Sequence, residues 1–278
     1  MKLAVVGGTN MDILGIPEGN FLPRDSNPGR VELRPGGVGR NIAAQIAALG
    51  EYCLLFTALG DDSLSDVLRN DCRRRGIDLS HALRCPGRGC VYLAIHGTNG
   101  DMLTAINDMA LTACLDEAYL RESLDTLNGC GLCVADANLP PESLRFLADH
   151  AEPPLLCDPV SRAKCGRVRD ILPRLFAIKP NLYEAQTLTG KETPADCAEA
   201  LLNAGVEKVF ISLGEDGLYF ADRQQAGRIP VERFSDAPKT GAGDALTAGL
   251  AVALAQGKTT EEAARFAQHC AFRFLTGI

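Results

Sequence analysis

The chain has 278 residues, of which 46% are hydrophobic and 23% charged. That length can bury a sizeable core, as one large α/β domain or as one domain with a small appendage. With 28 Lys and Arg against 35 Asp and Glu, the formal charge of -7 argues against nucleic acid or an anionic membrane as the main partner.

The chain opens on MKLAVVGGTN, which reads as a buried strand over 2–7 running into a turn, too short and too glycine-rich for a secretion leader. Asn10 and Asp12 follow it. They are either local turn formers, or an amide and a carboxylate suited to adjacent sugar hydroxyls. Residues 13–34 hold the loop PEGNFLPRDSNPG and the alternating run GRVELRP. PGGVGRN then leads into a helix over 39–49. Gly36 and Gly37 are ordinary turn glycines, or they let the backbone approach a ligand at a helix start, with Asn41 just beyond. A strand at 52–58 and a helix at 62–75 come next. Residues 89–106 read as two strands around a Thr-Asn-Gly turn, a hairpin signal.

Neither 13–34 nor 89–106 has a helix to cover it. Together they predict a small antiparallel β lid on a single domain spanning 1–278. Its uncovered apolar face, including Val91, Leu93 and Ile95, would pack on substrate or on another subunit.

Helices at 116–128 and 141–150 flank a strand at 131–136, which begins within CGLCVADA. Cys130 and Cys133 sit three apart on a strand-like run and so point to opposite faces, and no second CxxC follows. That argues against a metal or redox role for the pair, and with no secretion signal the eleven cysteines are read as reduced thiols of a cytoplasmic protein. Strands at 154–158, 175–179 and 207–213 end in CDPVS, KPNLYEA and SLGEDG, with helices at 181–189 and 194–204. Asn181 and Glu184, three apart in a first helical turn, suit a plain capping pair; they also suit water and Mg²⁺ near phosphates. Asp158 before Pro159 is a turn former or a second outer magnesium ligand. Finally, PKTGAGDALTAGL opens a helix at 242–256, followed by one at 259–275. Gly241, Ala242 and Gly243 leave amides bare at a helix start, an anion site. Asp244 beside them is either a cap or a base for an attacking hydroxyl.

Strands separated by helices of this length imply parallel βαβ units in a doubly wound α/β sheet flanked by helices. Ligands bind such sheets at the carboxyl ends of the strands, where these polar, glycine-rich turns fall. No apolar run approaches the roughly 18 residues of a membrane span. VVGGTNMD lacks the G-x-G-x-x-G turn of a dinucleotide oxidoreductase.

GGVGRN near the start and TGAGDA near the end, with KPNLYE and SLGEDG between, resemble the ribokinase-like (pfkB) carbohydrate kinases over essentially the whole chain. Within that family, DSNPGR at 25–30, INDM at 106–109, VADAN at 134–138 and DPVSRAKC at 158–165 most resemble members acting on pseudouridine. The resemblance implies ATP-dependent phosphorylation of a sugar 5′-hydroxyl. Asp244 would be the base, and the amides of Gly241, Ala242 and Gly243 the anion hole. ATP would lie along Asn181, Ser212, Gly214 and Thr240, with Mg²⁺ near Glu184 and Asp158. Asn10, Asp12, Gly36, Gly37 and Asn41 would hold the ribosyl group under the lid. The side chains available to a base near the lid are Asp25, Ser26 and Asn27 on one segment and Asn107 and Asp108 on the other. Asn107 and Asp108 either terminate a strand or, through the Asn107 amide, read the base. The partner is a small molecule, and a homodimer through the lid is expected. A kinase for ribose or another nucleoside, and a ligand-binding relative without turnover, are the alternatives.

Two features depart from the family. The position six before Asp244 is Pro238, with Asp236 two earlier, which puts monovalent-cation (K⁺) activation in doubt. Relatives usually continue beyond the equivalent of Ile278 with residues that help cap the adenine, so weak selectivity among nucleotides is expected.

Overall fold

The computed structural model describes residues 1–231 and 241–277. Its centre is a nine-stranded sheet. The strands are β1 (Lys2–Val6), β4 (Tyr52–Phe56), β6 (Ile77–Asp78), β10 (Leu132–Asp136), β11 (Leu155–Asp158), β12 (Ala177–Ile178), β13 (Lys208–Ser212), β14 (Leu218–Ala221) and β15 (Ala226–Ile229). They run in the order β15-β14-β13-β12-β11-β10-β1-β4-β6. All neighbours from β13 to β6 pair in parallel, and β14 and β15 add an antiparallel edge. That hairpin was not foreseen, because LYFA and AGRI are four-residue runs too short to show a period.

Helices cover both faces, as a parallel sheet requires. Alternation along β1 divides the core: Ala4 and Val6 pack into one apolar cluster, Leu3 and Val5 into another. The first cluster draws on α3 (Glu117–Asn128), α4 (Pro141–His150), α5 (Leu182–Thr189) and α6 (Pro194–Asn203). The second draws on α1 (Val38–Ala48), α7 (Ala242–Ala255) and α8 (Thr260–Thr276). Every residue of α7 from Ala245 to Leu254 is buried, which explains why that helix reads as apolar all round. A Cβ on Gly249 would come within 2.7 Å of Ala267 Cα, so glycine lets α7 and α8 touch backbone to backbone. The eight expected helices all form, each within one residue of its expected ends. An unforeseen 3₁₀ helix over Cys165–Arg174, containing Pro173, joins β11 to β12.

A second sheet is built from β2 (Asn10–Pro17), β3 (Gly29–Gly36), β8 (Val91–His96) and β9 (Met102–Asp108), in the order β3-β2-β8-β9. Both outer pairs are antiparallel, as expected of the lid. The two central strands, β2 and β8, meet in parallel. The strand β2 starts at Asn10, so Asn10 and Asp12 are strand residues and not a turn. Short strands β5 (Ala58–Leu59) and β7 (Leu83–Arg84) pair on their own, and α2 (Ser63–Arg74) lies between β5 and β6 in the chain.

Candidate active site

The polar residues collect where β1, β10, β11, β12 and β13 end. Five helices start on a side chain that accepts from the helix backbone: Asp62, Asp116, Asn181, Thr193 and Thr259. The helices α1 and α7 instead start on Gly37 and Gly241, each without a side-chain cap. In α1 the Arg40 amide donates to the Gly8 carbonyl at 3.2 Å. The amides before it, and those of the first turn of α7, have no partner within their helix and suit an outside acceptor. Both glycines are required. Gly37 stands at φ 97°, with a Cβ position 2.4 Å from the Gly8 carbonyl, and Gly241 at φ 95°, with a Cβ position 2.8 Å from the Phe274 ring.

Asn41 and Asp244 join these two helix starts. Asn41 Nδ2 donates to Asp244 Oδ2 at 2.9 Å. Burial, and next the negative charge of Asp158, push the Asp244 carboxyl up to about 7, against the opposing pull of Asn41 and Lys179. A carboxyl poised there can take a proton near neutrality. Asn10 and Asp12 form the adjoining pair, with Asn10 Nδ2 donating to Asp12 Oδ1 at 2.6 Å. Burial raises the Asp12 carboxyl above its usual range. A Cβ on Gly36 would lie 2.4 Å from that carboxylate, so any larger residue there would displace the Asp12 side chain.

On the other side of Asp244, Asp158 is buried. It accepts from the Thr247 hydroxyl at 2.8 Å and the Val160 amide at 2.9 Å, and it pairs with Lys179 Nζ at 3.1 Å. Burial alone would lower the Lys179 ammonium, but Asp158, Glu184 and Asp244 hold it above its ordinary value. A Cβ on Gly243 would lie 3.5 Å from that ammonium, which therefore sits against the glycine turn.

Asn181 and Glu184 make the full capping box: Glu184 accepts from the Asn181 amide at 2.9 Å and from Asn181 Nδ2 at 2.7 Å. Burial raises the Glu184 carboxyl. Asn181 forms a β-bridge with Ser212, and Gly214 follows in a left-handed turn at φ 62°.

Mg²⁺ fits this donor set only indirectly. Both oxygens of Asp158 and of Glu184 already accept hydrogen bonds from protein groups. Among the described residues, no group of three His, Cys, Asp or Glu could hold a metal. These carboxylates suit a magnesium ion that keeps its waters and is held mainly by phosphates.

The structure does not bring every expected residue to this cluster. Ser26 is exposed in the loop between β2 and β3. Asn27 is spent on that loop, bonded to Leu22 and Asp25. Asn107 is exposed on β9, in register with Tyr92. Thr240, with Asp236 and Pro238, lies outside the described residues.

Other residues join the cluster with no role foreseen. Asp136 is fully buried, accepts the Gly8 and Asn138 amides at 2.9 and 2.8 Å, and is pushed up to about 6 chiefly by burial. Lys164 Nζ donates to Asn138 Oδ1 at 2.5 Å, and an added Cβ on Gly8 would meet Asn138 Nδ2 and Met109 Cε at 3.0 Å each. Asp136, Asn138, Lys164 and Lys179 all lie in segments that carry the family resemblance. For Asp136, Asn138 and Lys179 the place at a strand end is the available signal, whereas Lys164 lies six residues beyond β11.

A family model described as pfkB family carbohydrate kinase matches residues 1–273. The chain is 35% identical to pseudouridine kinase of Escherichia coli (strain K12), over 99% of this chain and 90% of that protein. It is 33% identical to an uncharacterized sugar kinase of the same organism, over 96% and 76%. Ribokinase from Thermotoga maritima superposes with a TM-score of 0.90 at 25% identity, over 99% of this chain and 92% of that one.

Proposed function

We propose, from the premise that this chain belongs to the pfkB family of carbohydrate kinases, that it moves the γ-phosphoryl group of ATP to the 5′-hydroxyl of pseudouridine. It is a kinase, transferring phosphate to a hydroxyl group. The observation that carries the reading is Asp244, set at a bare helix start and held by Asn41, with its carboxyl raised to about 7.

In this reading Asp244 takes the proton of the attacking hydroxyl. The amides of Gly241, Ala242 and Gly243 receive the charge that spreads over the transferring phosphoryl group. Lys179 adds a buried positive charge beneath that turn. Asn10, Asp12, Gly36, Gly37 and Asn41 hold the ribosyl hydroxyls, and Asn107 faces the base. Asn181, Ser212 and Gly214 line the path of ATP. Mg²⁺, when bound with the nucleotide, neutralises phosphate charge, with Glu184 and Asp158 orienting its waters.

A homodimer through the lid sheet and a cytoplasmic setting belong to the same proposal. The exposed apolar face supports the first, and eleven unpaired thiols the second. The likeness to a ribokinase favours one second reading, a kinase for ribose or another nucleoside. An ATP-consumption screen over pseudouridine, uridine, ribose, fructose and adenosine separates the two. Turnover of ribose above pseudouridine would replace the first reading with the second, and no turnover of any would support a ligand-binding relative.

A further inference from the structure

Arg40 takes no part in the chemistry above, yet it is 6% exposed and stands beside a residue that does. Its Nη2 donates to the carboxylate of Asp71 on α2. Its Nη1 donates to Asn41 Oδ1 at 2.9 Å and lies 3.3 Å from the Pro35 carbonyl, while Nε is buried without a partner. A buried ion pair that leaves one donor unmet is a poor device for stability alone, because the orphaned N–H retains its desolvation cost.

The geometry has a second consequence. A guanidinium only donates, whereas a carboxamide donates from one end and accepts at the other. Arg40 therefore requires the oxygen end of Asn41. The NH₂ end is then turned away, and it is that end which reaches Asp244 at 2.9 Å. Flipping the amide would set N–H against N–H at Arg40 and oxygen against carboxylate at Asp244, losing both bonds together. Asp71 braces the guanidinium and is itself held by Arg75 at 2.9 Å and Arg74 at 3.4 Å. Burial acts to raise the Asp71 carboxyl, but Arg40 and Arg75 outweigh it and hold it low, so it stays an acceptor.

We propose that Arg40 is a positioning residue: braced by Asp71, it locks the Asn41 amide in the one orientation that holds Asp244. The chain of contacts runs from the surface of α2 through the start of α1 to the first turn of α7. The inference rests on Asp244 being the base.

The test is a double-mutant cycle on the full chain with ATP and pseudouridine. Arg40→Met keeps an unbranched stem and removes every donor. It should lower kcat about tenfold while KM for ATP stays within about twofold, the pattern of a lost transition-state contact. In the Asn41→Ala background the same substitution should cost nothing further, since coupled residues are not additive. Arg40→Lys, which keeps a donor, should recover part of the loss. If Arg40→Met does not fold, Asp71→Asn serves in its place, with a smaller loss that likewise vanishes in Asn41→Ala. Additive losses, or a kcat for Arg40→Met within about twofold of wild type, overturn the proposal. Asp244→Asn is run alongside. If it alone retains turnover, the base reading falls and takes this inference with it; if it is inactive and the cycle is additive, only the Arg40 inference falls.

Discussion

Asp12 and Asn107 lie in one cross-strand row of the lid sheet, through Tyr92 between them. Strand alternation puts both on the same face, two strands apart and so separated by roughly 10 Å. That spacing matches a nucleoside held by its sugar at one end and its base at the other. Pseudouridine keeps a ring N–H that uridine spends on its glycosidic bond, and an amide can accept from it. The enzyme should therefore prefer pseudouridine to uridine by about tenfold or more in kcat/KM, on the order of 1.4 kcal/mol. Asn107→Ala should reduce that preference and leave ATP binding intact. Equal rates on the two nucleosides would end the pseudouridine assignment. An unchanged preference in the variant would shift base recognition to Asp25 and Ser26.

The opposite face of the same sheet carries the row Leu33, Ile13, Leu93 and Ile106. Leu33 is 57% and Ile106 66% exposed, and Val31 nearby is 71%. Val91 and Ile95 are half-buried, so the exposed part of this face lies more on β3 and β9 than on β8. A second copy covering it should give a particle of about twice 29.6 kDa by light scattering at micromolar concentration. Leu33→Asp with Ile106→Asp should return it to a monomer. A wild-type monomer would leave the lid as a cover for its own site.

Asp244→Asn should fold and bind ATP but lose at least about a hundredfold in kcat, the usual scale for a general base. Single-turnover kinetics together with ATP titration separate the chemical step from binding. Turnover within a few fold of wild type would reduce Asp244 to a helix-end acid.

The sequence made much of this visible because helix period and glycine turns are local signals. The helix starting at Ala242 and the turn ahead of Asp244 needed no knowledge of distant residues. Arg40 shows the opposite case: its importance comes from Asp71 and Asp244, which lie on other helices. The parallel join of β2 to β8 likewise unites segments far apart in sequence and leaves no local trace. Asn181 and Glu184 illustrate a third situation. Their spacing fits a cap and a magnesium role equally; the capping box forms, and its carboxylate keeps lone pairs that water can use.

The pH dependence follows from the raised carboxyl of Asp244. A base works only when deprotonated, so kcat/KM should climb through about pH 7 and level off above it. An ordinary aspartate would already be ionised at about pH 6 and show no such limb. Asn41 donates to the ionised form and pulls the value down, so Asn41→Ala should move the limb upward. Stability should respond in the opposite sense. The folded-state value of about 7 exceeds the ordinary 3.8, so the folded protein binds this proton more tightly than the unfolded chain. Its contribution is most favourable below about pH 4 and is lost as pH rises through about 7. Asp244→Asn escapes that loss and should melt above wild type at about pH 8, by on the order of 2 °C, with the gap closing toward about pH 4. A gap that does not change with pH, together with a flat rate profile, would mean that Asp244 is ionised throughout this range.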